Sequence, residues 1–361
     1  DYTIDANAGT ITSVAEGTDS FDGIESLSFA DATVRVVGNG GYASIQAAID
    51  DANPGDTILV ADGTYGPVTI DKSITLLGAS DQGATIEGAG VNQGSAIRIE
   101  AGVDGVTIGG AGQGFTVNAM AGDLAAIYAV GDNDSLTVSH NLVDGATGNA
   151  FLSGGSAGMG LTNSTVSNND MTSSGAAAQT IYNNGQTSLS VTSTGNSFTD
   201  NTLSGVNLLM GIEGTGGTVS GNTFNGSPGY AALELWGAGN AVSSNSFAIT
   251  LDGVAIADSG GNYDEPELLE DNGFTADYAV LVNDRIELFD DLAGAQAAAL
   301  SGPDGVIYDT AQDRFLVFDG MSVQAALDAA SDGDTVEVAA GTYAGNLSVQ
   351  NDVTILGANA G

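Results

Sequence analysis

The chain has 361 residues, 42% of them hydrophobic, and a mean hydropathy of +0.11, which excludes a disordered chain because there is ample apolar surface to bury. Its five Lys and Arg residues face 45 Asp and Glu residues, and the formal net charge of −40 excludes nucleic acid as a partner, since phosphate binding needs basic side chains. The same charge would repel an anionic membrane surface or a polyanionic polysaccharide.

Apolar runs and cysteines narrow the class of protein further. No apolar run reaches the roughly 18 residues that a membrane-spanning helix needs, so we expect no membrane insertion. The chain has no cysteine, which excludes disulfides, zinc–thiolate sites and thiol catalysis. No cofactor is certain, but the acidic residues either serve solubility alone or attract cations, Ca²⁺ above all.

Residues 1–39 are predicted to form a β-rich upstream segment. They begin with DYTIDANAGT, which lacks the charged start and the apolar region of a signal peptide, so we interpret this start as a point within a longer protein. The stretch DSFDGIESLSFADATVRV, residues 19–36, is similar to strand-rich segments beside the calcium-binding repeats of secreted repeats-in-toxin proteins. The nonapeptide repeat itself is missing, so the resemblance implies a secreted setting and not a calcium site in this segment.

Residues 40–262 are predicted to form the main domain, and they open with a short helix in SIQAAIDDA, residues 44–52. Ser44 can cap this helix, and Ile45, Ala48 and Ile49 fall on one of its faces. Beyond the helix, short runs of Val, Ile, Leu, Thr and Phe are broken by Gly, Asn and Asp. This pattern predicts a succession of strands and turns.

Five segments of this domain share one pattern, in which an Asn stands two places after Ser or Thr and two places before an apolar residue. Steps of 28, 27, 26 and 23 residues separate the five Asn residues, which are Asn141, Asn169, Asn196, Asn222 and Asn245. A period in this range predicts a solenoid or a propeller, and a propeller blade needs about 40–45 residues. A coil of three short strands and three turns suits the spacing better.

Stacked coils place equivalent side chains above one another, about 4.8 Å apart. The five Asn side chains would then hydrogen-bond along the stack as an asparagine ladder. The apolar residues that follow them would fill the interior in the same way, and these are Val143, Met171, Phe198, Phe224 and Phe247.

These Asn columns and the opening segment SIQAAIDDANPGDTILVADGTYGPVTIDKSITLLGA resemble the pectate-lyase-like superfamily. The resemblance implies an all-β fold, namely a right-handed parallel β-helix with a short N-terminal helix that covers the first coil and with small β-rich flanking segments. This fold hosts lyases, hydrolases, epimerases, adhesins and phage fibres, so it leaves the activity open.

The resemblance also implies what an enzyme of this fold would need, which is a cluster of acidic and basic residues around the reacting sugar. The one histidine, His140, stands in a variable turn position, and of the basic residues only Lys72 and Arg98 fall within the predicted solenoid, in different coils. No lyase, polygalacturonase or epimerase motif surrounds them. The sequence therefore predicts no catalytic residue and no enzyme activity, since carboxylate pairs alone are expected by chance at this acidity.

Two other features admit a binding site. The segment GDNDS, residues 131–135, places Asp132 and Asp134 at alternate positions, as in calcium-binding loops, and predicts a metal site there. Tyr230 and Trp236 could stack on a sugar or pack at the edge of a coil, and the sequence leaves both interpretations open.

The end of the chain repeats its beginning. Residues 263–320 are predicted to form a connector with short strands and a helix, and residues 321–361 the cap helix and first coil of a second, truncated β-helix. SVQAALDAASDGDTVEVAAGTY, residues 322–343, matches residues 44–65 at 14 of 22 positions, at a constant offset of 278. This repeat predicts that the parent chain carries such units in tandem.

The main functional prediction is a non-catalytic structural module of an extracellular bacterial tandem-repeat protein, such as a fibre, a surface layer or an adhesin stalk. Its partners would be further copies of itself, in tandem, head-to-tail or lateral assembly, with neutral glycans as a further class. The alternative is a polysaccharide-binding or polysaccharide-modifying module. That alternative predicts a solenoid face with clustered carboxylates, an aromatic shelf and at least one basic residue.

Overall fold

The computed structural model describes residues 2–30, 32–92, 94–154, 160–175, 179–183, 193–250 and 253–358. Its strands pair in parallel from one coil to the next and wind into a right-handed parallel β-helix, so the predicted fold class is confirmed. Each coil contributes one strand to each of three sheets. In the described ranges, no helix is long and apolar enough to cross a membrane.

Sheets 1 and 2 form two faces of the solenoid. Sheet 1 has ten strands, which are β4 (Ser26–Ser28), β5 (Thr33–Val37), β6 (Thr57–Val60), β9 (Thr75–Gly78), β12 (Thr107–Ile108), β16 (Thr137–Ser139), β20 (Thr165–Ser167), β23 (Ser197–Thr199), β26 (Thr218–Ser220) and β29 (Ala241–Ser243). Sheet 2 has nine strands, which are β7 (Gly63–Tyr65), β10 (Ala84–Glu87), β13 (Phe115–Asn118), β17 (Leu142–Asp144), β21 (Asp170–Ser173), β24 (Thr202–Gly205), β27 (Thr223–Gly226), β30 (Ser246–Ile249) and β32 (Gly273–Phe274).

Sheet 3 is the longest and extends past the solenoid. Its solenoid strands are β8 (Val68–Ile70), β11 (Ser95–Ile99), β14 (Ala125–Ala129), β18 (Asn149–Ser153), β22 (Gln179–Asn183), β25 (Leu208–Ile212), β28 (Leu233–Leu235) and β31 (Val254–Asp258). Six more strands continue it, in the spatial order β34 (Arg285–Phe289), β33 (Tyr278–Val282), β35 (Val306–Asp309), β36 (Arg314–Val317), β37 (Thr335–Val338) and β38 (Thr354–Gly357).

The remaining elements lie outside these three sheets. An antiparallel sheet near the start of the chain contains β1 (Tyr2–Asp5), β2 (Thr10–Ser13) and β3 (Gly17–Ser20), and a small pair contains β15 (Asn133–Asp134) and β19 (Leu161–Thr162). The described helices are α1 (Ile45–Asp51), α2 (Glu265–Glu270), α3 (Leu292–Ala299) and α4 (Val323–Ala329).

Helix α1 covers the first coil of the solenoid. The Ser44 hydroxyl accepts a hydrogen bond from the Ala47 amide (3.1 Å), which satisfies one of the amides that a helix start leaves free. Ile45, Ala48 and Ile49 are buried against the core. At the other end, the Lys72 ammonium donates to the carbonyl of Ile49 (3.0 Å), where a cation opposes the helix dipole.

An asparagine ladder occupies the bend between sheets 1 and 2. Each side-chain amide nitrogen except the last donates to the Oδ1 of the Asn in the next coil at 2.9–3.1 Å, and the members are Asn141, Asn169, Asn201, Asn222, Asn245 and Asn272. The same Oδ1 atoms accept backbone amides, for example that of Asn141 by Asn169 (3.0 Å). The ladder therefore satisfies buried backbone and side-chain groups together.

Asn196 does not belong to this column, so its predicted place in the ladder is corrected. It precedes β23, at the corner between sheets 3 and 1, where its Oδ1 accepts the Ser164 amide (3.0 Å). Asn201 lies in the bend between β23 and β24 and takes the ladder position instead. The reason is coil length, because the coil after Asn169 holds 32 residues between ladder positions, 169 to 201, and the next holds 21, 201 to 222.

The apolar columns shift with the ladder. Val143 pairs with Met171, which pairs with Leu203 and not with Phe198. Leu203 precedes the stack of Phe224, Phe247 and Phe274, whose neighbouring ring centroids are 4.7 and 5.4 Å apart. Phe198 lies instead between Val166 and Val219 on sheet 1. Both columns are buried and belong to one continuous core.

Sheet 3 joins the solenoid to the second copy of the opening segment. The antiparallel strands β34, β33, β35 and β36 follow β31, and β37 and β38 then resume parallel pairing. Helix α3 packs on this extension, and Ser331 after helix α4 donates to the Glu270 carboxylate at the end of α2 (2.8 Å). Phe315, Val323 and Val336 belong to the same core as the solenoid, so the junction is a packed interface.

We expect the junction to resist ionisation of Glu270. Burial, followed by repulsion from Asp334 and Asp271, outweighs the Ser331 hydrogen bond and raises the pKa of Glu270. A carboxyl whose pKa is higher in the folded state destabilises that state once it ionises, so the penalty is present above this pKa and is lost as the pH falls through it. Glu270→Gln should therefore raise the melting temperature slightly at pH 7.

Thermal unfolding of the full chain between pH 4 and 7 checks this prediction. The difference between Glu270→Gln and wild type should shrink as the pH falls, because wild type gains its proton there. Glu267→Gln is the matched control, because Glu267 is another exposed carboxylate of the same helix. A stability difference that stays constant across the range would contradict the prediction.

Candidate functional site

The predicted calcium residues lie in the turn that contains β15. The Asp134 carboxylate accepts hydrogen bonds from the side chains of Thr162 (2.7 Å), Asn163 (2.8 Å) and Ser135 (2.8 Å), and these bonds lower its pKa. Asp132 is exposed beside it, with a backbone φ of +57°. Across the described ranges, no three His, Cys, Asp or Glu residues come together in a group that could hold a metal ion, so calcium at Asp132 and Asp134 stays a prediction.

His140 occupies a turn position of the solenoid. Its backbone φ is +61°, as at the residues that precede Asn169, Asn201 and Asn245 in the ladder. No described residue bonds its buried Nδ1, and the nearby Asp144 accepts instead from the Ala146 amide (2.7 Å). His140 is therefore not assembled with an acidic partner.

Three of the five basic residues serve the structure. Arg35 is buried and bonds Asp56 (2.9 Å), Asp51 and Tyr42, whereas Lys72 caps α1. Arg314 pairs with Asp309 (3.2 Å) and Glu337 on sheet 3. Arg98 and Arg285 are left, and both lie on the outer face of sheet 3.

One line of side chains crosses that outer face, and we call it the outer row. Residues on either side of its members point into the core, such as Ile97 and Ile99 beside Arg98, so the members between them point outward. The backbone register aligns positions 69, 98, 128, 152, 182, 211, 234, 257 and 285, and the described side chains along it are Thr69, Arg98, Tyr128, Leu152, Glu234, Ala257 and Arg285.

At the end of the outer row nearer α1, a cation lies over an aromatic ring. The Arg98 guanidinium carbon is 5.2 Å from the centroid of the Tyr128 ring, and its Nε donates to Glu100 (2.8 Å). Tyr128 and Leu152 pack with Ala125 in a small apolar cluster on the outer face. These three apolar side chains are buried, so this end offers the planar Arg98 cation held over the Tyr128 ring.

At the other end, a buried carboxylate is surrounded by hydroxyl groups. Glu234 is only 4% exposed, and its Oε1 accepts hydrogen bonds from the hydroxyls of Tyr230 (2.8 Å) and Ser259 (2.6 Å). The guanidinium carbon of the exposed Arg285 is 5.9 Å from the centroid of the Tyr230 ring. We call Tyr230, Glu234, Ser259 and Arg285 the Glu234 cluster.

The surroundings of the Glu234 cluster add an aromatic shelf and a cavity. Tyr230 is 43% exposed, whereas Trp236 is half-buried and packs on Leu208 and Ala257. Beyond Arg285 opens a cavity of about 340 Å³ that Asp284 and Asp304 also line. The structure thus brings the two aromatic residues singled out in the sequence to the same face, one exposed and one packed.

A second buried carboxylate lies on the neighbouring strand. Glu234 pairs with Ala257, and the next residue, Asp258, is buried with its Oδ2 accepting the Tyr263 amide (2.9 Å). No described residue bonds its Oδ1. Because Asp258 pairs with the core residue Leu235, its side chain points to the opposite side of sheet 3 from Glu234. Glu234 is therefore the carboxyl group that the cluster offers for acid–base chemistry.

Sequence reasoning missed this cluster. Glu234 and Arg285 stand 51 residues apart, and Arg285 reaches the row through an antiparallel strand that follows no repeat. The only local signal was the pair of aromatic residues in GYAALELWG, which contains Glu234 between Tyr230 and Trp236.

Comparisons with known proteins give similar solved structures but no family. No family model matches the chain, and no curated protein matches it. An alginate lyase from Paenibacillus sp. str. FPU-7 is similar in structure, with a TM-score of 0.43 and 14% identity over 86% of this chain and 96% of that one. The A-module of a mannuronan C-5 epimerase from Azotobacter vinelandii gives a TM-score of 0.22 and 14% identity over 86% of this chain and 92% of that one.

These findings correct the main functional prediction. Both solved structures are enzymes named for polysaccharide substrates, which contradicts the predictions of a non-catalytic structural module and of no enzyme activity and favours the alternative of a polysaccharide-modifying module. They give no support to the resemblance of residues 19–36 to repeats-in-toxin segments or to a surface repeat protein. At 14% identity and TM-scores of 0.43 and 0.22 the likeness assigns no activity, so an activity has to be argued from the residues of this chain.

Proposed function

We propose that this chain is a polysaccharide-modifying β-helix that binds a glycan along the outer row of sheet 3, with Glu234 as its acid–base residue. The observation that carries the proposal is the Glu234 cluster. Its buried carboxylate accepts hydrogen bonds from two hydroxyl groups, and it lies beside the exposed ring of Tyr230 and the exposed guanidinium of Arg285. Buried ionisable groups of this kind are costly to keep and are concentrated at functional sites.

The outer row has the length for an oligosaccharide. Five steps between neighbouring strands separate Arg98 from Glu234, which corresponds to about 24 Å at the usual strand spacing. The Arg98 guanidinium, which the buried Tyr128 ring supports from below, would hold one part of the chain, and Tyr230 would offer its exposed ring to a sugar at the other. A glycan of this size fits the extracellular setting predicted from the sequence.

Charge selects the class of glycan. With a net charge of −40, the protein repels a polymer that carries a carboxylate or sulfate on every sugar. The two arginines of the outer row can pair with isolated acidic groups of a glycan, but they do not offset the repulsion from the rest of the protein. We therefore expect a neutral or sparsely charged polysaccharide as substrate.

The residues of the cluster divide the chemistry among them. The Glu234 carboxyl would exchange a proton with the glycan, and the Tyr230 and Ser259 hydroxyls would hold its orientation. Arg285 would stabilise negative charge that develops on the sugar, since a guanidinium keeps its charge at any physiological pH.

Glu234→Gln is expected to lower glycan turnover by about 100-fold or more, because it removes the proton-transferring group and leaves the shape of the site intact. The measurement is a screen of neutral and polyanionic polysaccharides for new reducing ends and for unsaturated products, followed by kinetics on any glycan that reacts. Binding of that glycan to the variant, measured by calorimetry, should persist.

Glu87→Gln is the matched control, since Glu87 is an exposed carboxylate on sheet 2 of the same solenoid. It should leave turnover unchanged. The proposal fails if wild type turns over none of the polysaccharides, or if Glu234→Gln is as active as wild type.

A further inference from the structure

The cavity beside the Glu234 cluster lies where the outer row meets the antiparallel part of sheet 3. Its volume is about 340 Å³, which is at the lower end of the range for small-ligand sites. Arg285 lines it, and the guanidinium carbon of this residue is also 5.9 Å from the centroid of the Tyr230 ring. The same cation therefore borders both the exposed tyrosine of the proposed site and the cavity.

One wall of the cavity is a tight hairpin turn. Strands β33 and β34 pair Val282 with Arg285, which leaves only Asn283 and Asp284 in the turn. Their φ angles are +51° and +60°, as a two-residue turn of type I′ requires, and Asn and Asp tolerate this conformation. The Asp284 carbonyl also accepts the backbone amide of Asp258 on β31 (2.9 Å). The turn is therefore fixed to the solenoid.

The opposite wall is the loop that follows helix α3. This helix packs on sheet 3 in an apolar cluster that contains Val282, and the loop after it brings Pro303 and Asp304 to the cavity. At Gly302 an added Cβ would lie 2.7 Å from the Val282 Cγ2 and 3.0 Å from the Asn283 Oδ1. The absence of a side chain at position 302 lets the loop approach the hairpin closely. Packing therefore holds both walls in place.

Four polar side chains line the cavity, and all of them are solvent-exposed. They are those of Asn283, Asp284, Arg285 and Asp304. In the part of the chain that the structure describes, the side chains of Asn283, Asp284 and Asp304 form no hydrogen bond or ion pair, and Arg285 contacts only the Tyr230 ring. Carboxylates accept hydrogen bonds, a guanidinium donates them, and an amide group does both. These groups together match the hydroxyl groups of a sugar, each of which donates and accepts.

We propose that this cavity is a subsite for an uncharged sugar unit of the glycan. The inference rests on the proposed function, because the cavity continues the path of the glycan past the Glu234 cluster. Sugar hydroxyls would donate to the carboxylates of Asp284 and Asp304 and accept from the Arg285 guanidinium. A uronic acid would bring its own carboxylate towards these two aspartates, and the like charges would repel. The cavity thus adds a local cause to the selectivity that follows from the net charge.

NMR titration of the full chain with disaccharides tests the subsite without requiring turnover. The probes are uncharged disaccharides of glucose, mannose, galactose or xylose, and a disaccharide of glucuronic acid. We expect at least one uncharged probe to shift the backbone amide signals of Asn283, Asp284 and Asp304, with a lower dissociation constant than that of the glucuronic acid probe.

Two variants that remove charge and keep shape test the roles of the aspartates. Asp284→Asn and Asp304→Asn should each raise the dissociation constant of the uncharged probe about fivefold or more, since a hydrogen bond to an ionised acceptor is stronger than one to a neutral acceptor. Each should also narrow the preference for the uncharged probe over glucuronic acid. Asparagine tolerates the positive φ of position 284, so the turn should be kept.

Asp277→Asn is the matched control, because Asp277 is an exposed carboxylate next to the opposite end of β33 from the hairpin turn. It should leave the dissociation constant unchanged. The subsite is refuted if no uncharged probe shifts these signals, if glucuronic acid binds equally well, or if both cavity variants bind like wild type. Turnover by Glu234 without such shifts would refute the subsite alone, whereas shifts in a chain that turns over no polysaccharide would refute the proposed function alone.

Discussion

Asn201→Ala is expected to lower the free energy of unfolding by about 3 kcal/mol or more, since each buried donor or acceptor left without a partner costs about 1–3 kcal/mol. The Asn201 Oδ1 accepts the Asn169 amide (3.1 Å) and the Asn169 side chain (3.0 Å), and its own amide donates to the Val166 carbonyl (2.8 Å). Alanine removes these three bonds and the one that the Asn201 Nδ2 donates to the Asn222 Oδ1 (3.0 Å), all in the interior of the solenoid. Denaturant-induced unfolding followed by circular dichroism measures the loss.

The control for this substitution is Asn92→Ala, at an exposed position outside the ladder, which should change stability by less than about 0.5 kcal/mol. A loss at position 201 as small as that at position 92 would contradict a satisfied buried ladder.

A double-mutant cycle tests the corrected register. Asn201 and Asn222 are bonded directly (3.0 Å), so combining Asn201→Ala with Asn222→Ala should cost less than the sum of the two single changes. Asn196 has no bond to Asn222 and bonds Ser164 and Leu161 at another corner, so the Asn196 and Asn222 changes should be closer to additive. If the Asn196 and Asn222 changes were the more strongly coupled pair, Asn196 would belong to the ladder as first expected from the sequence.

The sequence predicted the fold because the ladder position has a local signature. From the coil of Asn141 onward, the bend between sheets 1 and 2 holds an Asn that reaches the next coil and an apolar residue two places on, and this pattern recurs as far as Asn245. The same signature misled at one coil, because STGNSFTDNTL, residues 193–203, contains it twice, at Asn196 and at Asn201. Regular spacing favoured the first, whereas the uneven coils of the structure use the second.

Asn272 is a member of the ladder that the sequence pattern does not identify. It continues the ladder from Asn245, and Phe274 follows it at the expected distance. However, Glu270 stands where the pattern has Ser or Thr, because this position follows the helix α2 and not a strand of sheet 1. The pattern describes bends between two strands, so it misses this bend between a helix and a strand.

The candidate site was harder to predict than the core for a physical reason. Core columns select one residue type, so their members are visible as a repeat, whereas the outward positions of the same strands are free to vary. Arg98, Tyr128, Leu152 and Glu234 share a row but no residue type. Only the register between coils of unequal length shows that Tyr230, Glu234 and Arg285 meet.

Phe247→Ala is expected to cost about 3–5 kcal/mol of stability, the usual loss when a buried aromatic ring is truncated. The Phe247 ring lies between Phe224, with centroids 4.7 Å apart and an interplanar angle of 1°, and Phe274, at 5.4 Å and 15°. Its removal opens a cavity between two rings that the strand spacing of sheet 2 holds in place, so the gap cannot close without breaking the pairing of β27, β30 and β32. Equilibrium unfolding in denaturant measures the effect.

Phe247→Leu separates the cavity from the loss of ring stacking, because leucine fills much of the volume and should cost clearly less than alanine. Val206→Ala, at an exposed position of the same solenoid, serves as the control and should change stability little. The stack also crosses from the last complete coil to β32, next to the junction with the second copy. If alanine at position 247 costs no more than alanine at position 206, the aromatic stack does not stabilise that end of the solenoid, and the continuity of the core from coil to junction would have to rest on other contacts.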